Sequence, residues 1–265
     1  MKVRCLLIGV VVLVVASVLT TSSYAKLDPK TIAGMWLFDE GSGKIAADFS
    51  GNKNDGTLMN NAKWVAGKFG QALSFDGINA YVNIPNSDSL NPTSAITMAA
   101  WIQPVTVTNI TYIEIMRQDS GDKRKLFSFQ LNGTQLTLGL NTAGAYWETD
   151  FAIAAKDYTD EKWHHVVYTY DGAKAIFYKD GSVVNSQAHS GKIAVETAPL
   201  MIGTCTASGE WFTGLIDEVA MFNVALAEAD VKALMNQGLK QALTAVDLSG
   251  KLATTWSSIK TKKSL

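Results

Sequence analysis

The sequence predicts an antiparallel all-β sandwich closed by one helix near its C-terminus, and three observations carry that expectation. Short apolar runs alternate with clusters of turn residues at roughly 8–15-residue intervals. Asn132-Gly133, Asp171-Gly172 and Asp180-Gly181 each place glycine where a tight turn needs a positive φ. Only five prolines interrupt the chain, and no strand–helix–strand alternation is visible.

The elements follow in order. Lys2 and Arg4 precede an apolar run from Cys5 to Leu19, and Ser23-Tyr24-Ala25 offers a small-x-small cleavage site. Residues 1–25 therefore read as a secretory signal peptide, with an apolar core shorter than the ~20 residues of a spanning helix. The expected mature chain starts at Lys26, contains no membrane span, and works secreted or at the cell surface, periplasmic or extracellular. Strands are expected over 34–38, 72–75, 81–84, 96–102, 127–131 and 136–140. Further strands are expected over 164–170, 175–178, 182–184, 200–203 and 215–221. In 164–170 both alternating sets carry bulky groups, as in a strand covered on both faces. Val231, Leu234 and Met235 follow helical spacing, which predicts a helix from Ala227 to about Asn236 with Gly238 as its stop. Residues 26–238 read as one domain. Residues 239–265, with Lys251, Lys260, Lys262 and Lys263, read as a basic, partly ordered tail.

Composition excludes several functions. Lys and Arg number 23 against 24 Asp and Glu, so the chain lacks the basic excess of a nucleic-acid binder. Its two cysteines are Cys5, inside the signal segment, and Cys205. Neither a disulfide framework nor a cysteine zinc site follows. His164 and His165 sit among aromatics in an expected strand and read as packed imidazoles. His189 lies in a polar stretch.

Three segments together carry a family resemblance. The first is Trp36-Leu37-Phe38-Asp39-Glu40-Gly41-Ser42-Gly43 with the turn Asp48 to Gly56. The second is Trp163-His164-His165-Val166-Val167-Tyr168-Thr169-Tyr170-Asp171-Gly172, continuing to Asp180-Gly181. The third is Phe212-Thr213-Gly214-Leu215-Ile216-Asp217-Glu218-Val219. In this order, across about residues 34–236, the chain resembles secreted bacterial members of the laminin G-like, concanavalin A-like jelly-roll superfamily. The resemblance implies a two-sheet jelly-roll sandwich with one short C-terminal helix. It also implies a structural calcium, with Asp217 at the late-strand acidic position and Glu40 at the early one. The turn Asp48-x-Ser50-x-Asn52 is a second oxygen-rich calcium candidate, although Lys53 stands where a calcium loop of the EF-hand type has glycine. The composition of this turn fits better with side chains closing their own backbone than with a metal loop. Ala227 stands where relatives often begin the helix with Ser or Thr.

Enzymatic chemistry on this fold would need paired carboxylates on one strand. Glu148-Thr149-Asp150 is the nearest match, and Ala152 and Ile153 follow where a third acid would stand. Strand alternation sends Asp217 and Glu218 to opposite faces. A non-catalytic module that recognises extracellular glycan is the leading expectation. Sugar C–H faces stack on aromatic rings, and Tyr146, Trp147, Glu148 and Trp211 are the candidate contacts. Two tryptophans in one groove would favour this reading. A cell-surface or matrix protein as partner is the alternative. A glycoside hydrolase or polysaccharide lyase is the third, favoured if two carboxylates converge.

Overall fold

The structure is a computed structural model and describes residues 27–105, 113–118, 127–132, 135–142, 145–152, 160–195, 197–205 and 210–243. Residues 1–26, with the expected signal segment, and residues 244–265 of the expected tail lie outside them.

Among the described residues, sixteen strands form two antiparallel sheets. Sheet A runs β14 (Ser182–Ala188), β13 (Lys174–Lys179), β12 (His164–Tyr170), β7 (Ile96–Pro104), β16 (Thr213–Phe222), β5 (Gln71–Asp76) and β4 (Lys63–Ala66). β1 (Ile32–Trp36) also pairs with β16, along residues 219–222, while β5 takes residues 213–216. Sheet B runs β11 (Ala145–Ala152), β10 (Gln135–Thr142), β9 (Phe127–Asn132), β8 (Ile113–Gln118), β15 (Leu200–Ile202), β6 (Tyr81–Ile84), β3 (Gly56–Met59) and β2 (Ile45–Ala46). This is the expected jelly-roll architecture. β2, β3, β4, β8 and β11 are strands the sequence reading did not assign.

Period-two alternation sorts the side chains. Val82 and Ile84, Leu136, Leu138 and Leu140, and Val166, Tyr168 and Tyr170 enter the core between the sheets. Trp36 is fully buried there, and its Nε1 donates to the carbonyl of Asn54 at 2.9 Å. The other face of β12 is buried too: Val167 joins Ala99, Tyr178 and Ala220 in a second core on the outer side of sheet A. The helix α1, residues 228–243, closes that core with Val231, Leu234, Leu239 and Ala242. Burying Val231 or Leu234 contributes ~1.5–3 kcal/mol each.

The helix starts without a Ser or Thr cap, as expected, and its end differs from expectation. Ala227 supplies only its carbonyl to the helix start, accepting from Asp230 N and Val231 N. Gly238 does adopt the left-handed φ of +73 of a helix stop, yet helical structure resumes and runs to 243. Leu239 and Ala242 are buried, so the beginning of the expected tail belongs to the domain. Gly77, at φ +70 after β5, has a different constraint: an added Cβ would stand 1.9 Å from Thr213 Oγ1.

Candidate functional site

The late acidic pair sits on a β-bulge. The β16–β7 register slips between Asp217 and Ala220, and Glu218 takes φ +51. Alternation is broken there, so both carboxylates turn to the outer side of sheet A, which corrects the expectation of opposite faces. Asp217 Oδ2 accepts from Lys68 N at 2.8 Å and Phe69 N at 2.9 Å. Glu218 Oε2 accepts from Leu239 N, the amide that follows the Gly238 break. Burial pushes both groups up to about 7, and Asp39 adds repulsion to each.

Asp217 Oδ1 is buried without a hydrogen-bond partner. Glu40 has the same character: Oε1 accepts from Ala47 N at 2.7 Å, and Oε2 is buried and unpartnered. Each residue thus offers one oxygen to a cation. The 48–56 turn is used otherwise. Asp48 accepts four hydrogen bonds, from Met35 N, Ser50 N, Ser50 Oγ and Asn54 N. Asn52 donates to the carbonyls of Ile32 and Ala33. Lys53, at φ +65, adopts the turn conformation glycine would favour. These groups stitch the turn to β1.

The expected sugar contacts do not converge. Tyr146, Trp147 and Glu148 lie in β11, an edge strand of sheet B, rather than in a turn. Trp147 is the cross-strand partner of core residue Leu140 and packs against the inter-sheet core. Its indole stacks on His189 with centroids 3.9 Å apart and 5° between planes. His189 Nε2 also bonds Thr142 Oγ1 at 2.7 Å. Trp211 packs beside Tyr81 of β6, centroids 6.0 Å apart. β6 and β11 are five strand steps apart in sheet B, or ~24 Å, so the tryptophans do not share a groove.

The outer face of sheet B instead presents a row of polar groups. Glu114 of β8 is the register partner of Gln130 of β9, and Gln130 is the partner of Thr137 of β10. Directly opposed residues share a face. Gly139 and Asn141 continue that face along β10, and their partners Glu148 and Tyr146 continue it on β11. Relative exposures are 0% for Glu114, 3% for Arg117, 1% for Gln130, 0% for Thr137 and 9% for Asn141. Glu114 Oε2, Gln130 Oε1 and Asn141 Oδ1 are buried without hydrogen-bond partners.

At one end of this row Arg117 Nη1 donates to Glu114 Oε1 at 2.5 Å and to Glu210 Oε2 at 2.8 Å. Cys205 Sγ donates to Glu210 Oε2 at 3.1 Å. Desolvation holds the Glu114 carboxyl well above its ordinary range, opposed by the Arg117 charge. Burial likewise raises the Cys205 thiol. Glu114, Cys205 and Glu210 have ligand atoms within 4.8 Å of one another, the one such trio among the described residues. The Arg117 guanidinium already supplies the positive charge there. Sequence reading missed this row because β8 was not assigned. The available signal was the alternation Gln130, Thr137, Gly139, Asn141 opposite the apolar set.

Comparison with known proteins places this geometry in a family. The Laminin_G_3 family model, described as the concanavalin A-like lectin/glucanases superfamily, matches residues 76–232. A curated relative, the adhesion G-protein coupled receptor V1 of Danio rerio, is 24% identical over 152 residues. That match spans 56% of this chain and 2% of the receptor. Among solved structures, the binding domain of Paraclostridial mosquitocidal protein 1 superposes with TM-score 0.65 at 14% identity, covering 78% of this chain and 52% of that one. Domain 4 of AbnA, an extracellular arabinanase of Geobacillus stearothermophilus solved with arabinotriose, gives TM-score 0.61 at 18% identity. There the match covers 78% of this chain and 98% of that one. A botulinum neurotoxin type C structure, whose cell entry depends on two ganglioside molecules, gives TM-score 0.62 at 13% identity over 78% and 51% of the two chains. The family match covers more than half of the sequence, and the chain belongs to the concanavalin A-like lectin/glucanases superfamily.

Proposed function

We propose that this protein is a non-catalytic carbohydrate-recognition module that acts outside the cell and binds glycan on the outer face of sheet B. The observation that carries the reading is the polar row on that side of the sheet, where three buried acceptor oxygens on adjacent strands have no donor among the described residues. Sugar hydroxyls are donors suited to such positions, and Tyr146 on the same face offers a ring for stacking. Structural neighbours that include an arabinotriose complex and toxin binding domains support it. The signal-peptide pattern of residues 1–25 supports secretion.

Hydrolysis fits less well. The Glu114 and Glu210 oxygens are close enough for a retaining pair, which needs carboxyls ~5 Å apart. Arg117 Nη1 bonds both, however, and fills the space a glycosidic bond would need.

A structural calcium is part of the proposal. Asp217 would hold it through its unpartnered Oδ1, with Glu40 the second acid that the family resemblance offers, and the ion would supply the charge compensation that buried Asp217 lacks. The test is a glycan array with protein collected from the medium of a secreting host, run in calcium and in EDTA. Glycan binding in calcium is expected, together with a lower melting temperature in EDTA. A folded protein that binds no glycan in either buffer overturns the carbohydrate reading.

One observation favours a protein partner as the second reading. β14 is an edge strand exposed at all seven positions, and Ser182–Ala188 contains no charge to block strand pairing. Val184→Lys would abolish capture of such a partner and leave glycan binding intact.

A further inference from the structure

We infer that the protein has a second sugar site, a polar cavity at one end of the sandwich that takes a neutral mono- or disaccharide. The inference rests on the carbohydrate reading above for the class of ligand, and adds a place away from the outer face of sheet B.

The cavity lies between residues 88–94, which lead from β6 to β7, and Asn223, which follows β16. Its volume is about 370 Å³. Small-molecule sites run from roughly 300 to 1,000 Å³, so the space suits one or two sugar rings. Its wall is held by groups that are already paired. Leu90 is fully buried in the core between the sheets and anchors the helical turn Asp88–Leu90. Ser87 Oγ donates to Asn54 Oδ1 at 2.6 Å, and Asn54 Nδ2 donates to Ser89 Oγ at 2.9 Å. Asn91 Nδ2 donates to Asn86 Oδ1 at 3.0 Å and to the carbonyl of Ser87 at 2.8 Å. The carbonyl of Thr93 accepts from Ile193 N at 2.8 Å. A ligand arriving here meets a wall that needs little further ordering.

Asp88, Thr93, Ser94 and Asn223 line the same cavity and are exposed, so a ligand reaches them without opening the fold. Among the described residues, these four side chains make no hydrogen bond to the protein. Their chemistry selects the ligand. The Asp88 carboxylate only accepts, whereas the two hydroxyls and the Asn223 carboxamide both donate and accept. Asp88 is the one ionisable group in the wall. An anion would meet its charge with no cation lining the cavity. An ammonium group would satisfy Asp88 but bring no acceptor for the hydroxyl and amide donors. Sugar hydroxyls donate and accept at once and carry no charge. A hydroxyl donating to Asp88 makes a charge-assisted bond, roughly twice as strong as a neutral one, so Asp88 is the principal contact.

The test is an NMR titration of the isotope-labelled secreted chain with glucose, galactose, maltose, lactose, glucuronate and galacturonate. At least one neutral sugar is expected to move the amide signals of residues 88–94, and to bind at least about tenfold tighter than the matching uronate. Asp88→Asn, which keeps the shape and removes the charge, should weaken that binding by about tenfold. Asn223→Ala should weaken it by roughly threefold to tenfold. Both positions are exposed, and far-UV circular dichroism should be unchanged. Sugar binding that moves only signals elsewhere overturns this site and leaves the carbohydrate reading standing. So does binding indifferent to both variants, or a uronate that binds as tightly as its neutral sugar. Failure of every sugar here and on the glycan array overturns both.

Discussion

The two sheets have outer faces of opposite character. Sheet A carries Ala99, Val167, Tyr178, Ala220 and Phe222 outward, and α1 seals them into a second apolar core. Sheet B carries Glu114, Arg117, Gln130, Thr137 and Asn141 outward, with three acceptor oxygens unmet. One backbone plan thus serves two purposes. The apolar face adds stability through burial. The polar face holds unmet groups that cost stability.

The strongest way to break this contrast is on the sealed side. Phe222→Ala should destabilise the protein by ~3–5 kcal/mol in urea unfolding, with glycan affinity unchanged in the folded fraction. On the polar side, Arg117→Met leaves Glu114 buried beside Glu210 without its cation. A loss of ~3 kcal/mol is expected, partly restored by adding Glu114→Gln, as a double-mutant cycle would show.

Next in size is a pH effect confined to sheet A. Neighbouring histidines on β12 titrate with opposite sign. Asp180 bonds His164 Nδ1 at 2.9 Å and Asp160 bonds Nε2 at 3.1 Å, and together they raise its pKa against burial and Lys179. Its stabilising contribution is full below the ordinary value of 6.5 and is lost as pH rises through the raised folded value. His165 is pushed down to about 3 by burial, so its contribution is present above 6.5 and lost as pH falls toward 3. Unfolding midpoints across pH 4–9, a range of roughly two and a half units either side of the unperturbed value, should show His164→Asn flattening the alkaline limb. His165→Gln should flatten the acid limb.

A subtler probe separates stability from recognition. Gln130→Leu should leave stability unchanged or raise it by up to ~1 kcal/mol, because an unmet buried acceptor is removed. Smallest of all is Lys232→Ala. It removes an exposed ion pair with Glu228 on α1, and chemical denaturation should register ~0–0.5 kcal/mol.

The sandwich was legible because strand alternation and Asp-Gly turns are local signals. His164–Tyr170 is a clear case: both alternating sets are bulky, and both of its faces are buried. The polar row was not legible for equally physical reasons. β8 carries a bulge between Glu114 and Met116, so its apolar and polar residues do not alternate in the period-two pattern. Tyr146 and Trp147 follow Asn141-Thr142-Ala143-Gly144, whose composition favours a turn and obscures the strand β11 that begins at Ala145. Period-two alternation would then have separated Trp147, facing inward, from Tyr146 and Glu148, facing outward. The convergence of Glu114 with Glu210, 96 positions apart in sequence, is tertiary and has no local signature.

The first strand and the last are hydrogen-bonded to each other, and the last lies inside sheet A between β7 on one side and β5 with β1 on the other. Sheet A therefore has a gap at its centre until residues 213–222 are available. A chain emerging in order from its N-terminus cannot complete either core beforehand, and contacts between distant segments make its folding slow. The protein is in effect held open for as long as its own synthesis lasts. A stop codon placed just before Thr213 would yield a chain with every strand of sheet B present and sheet A split between β7 and β5.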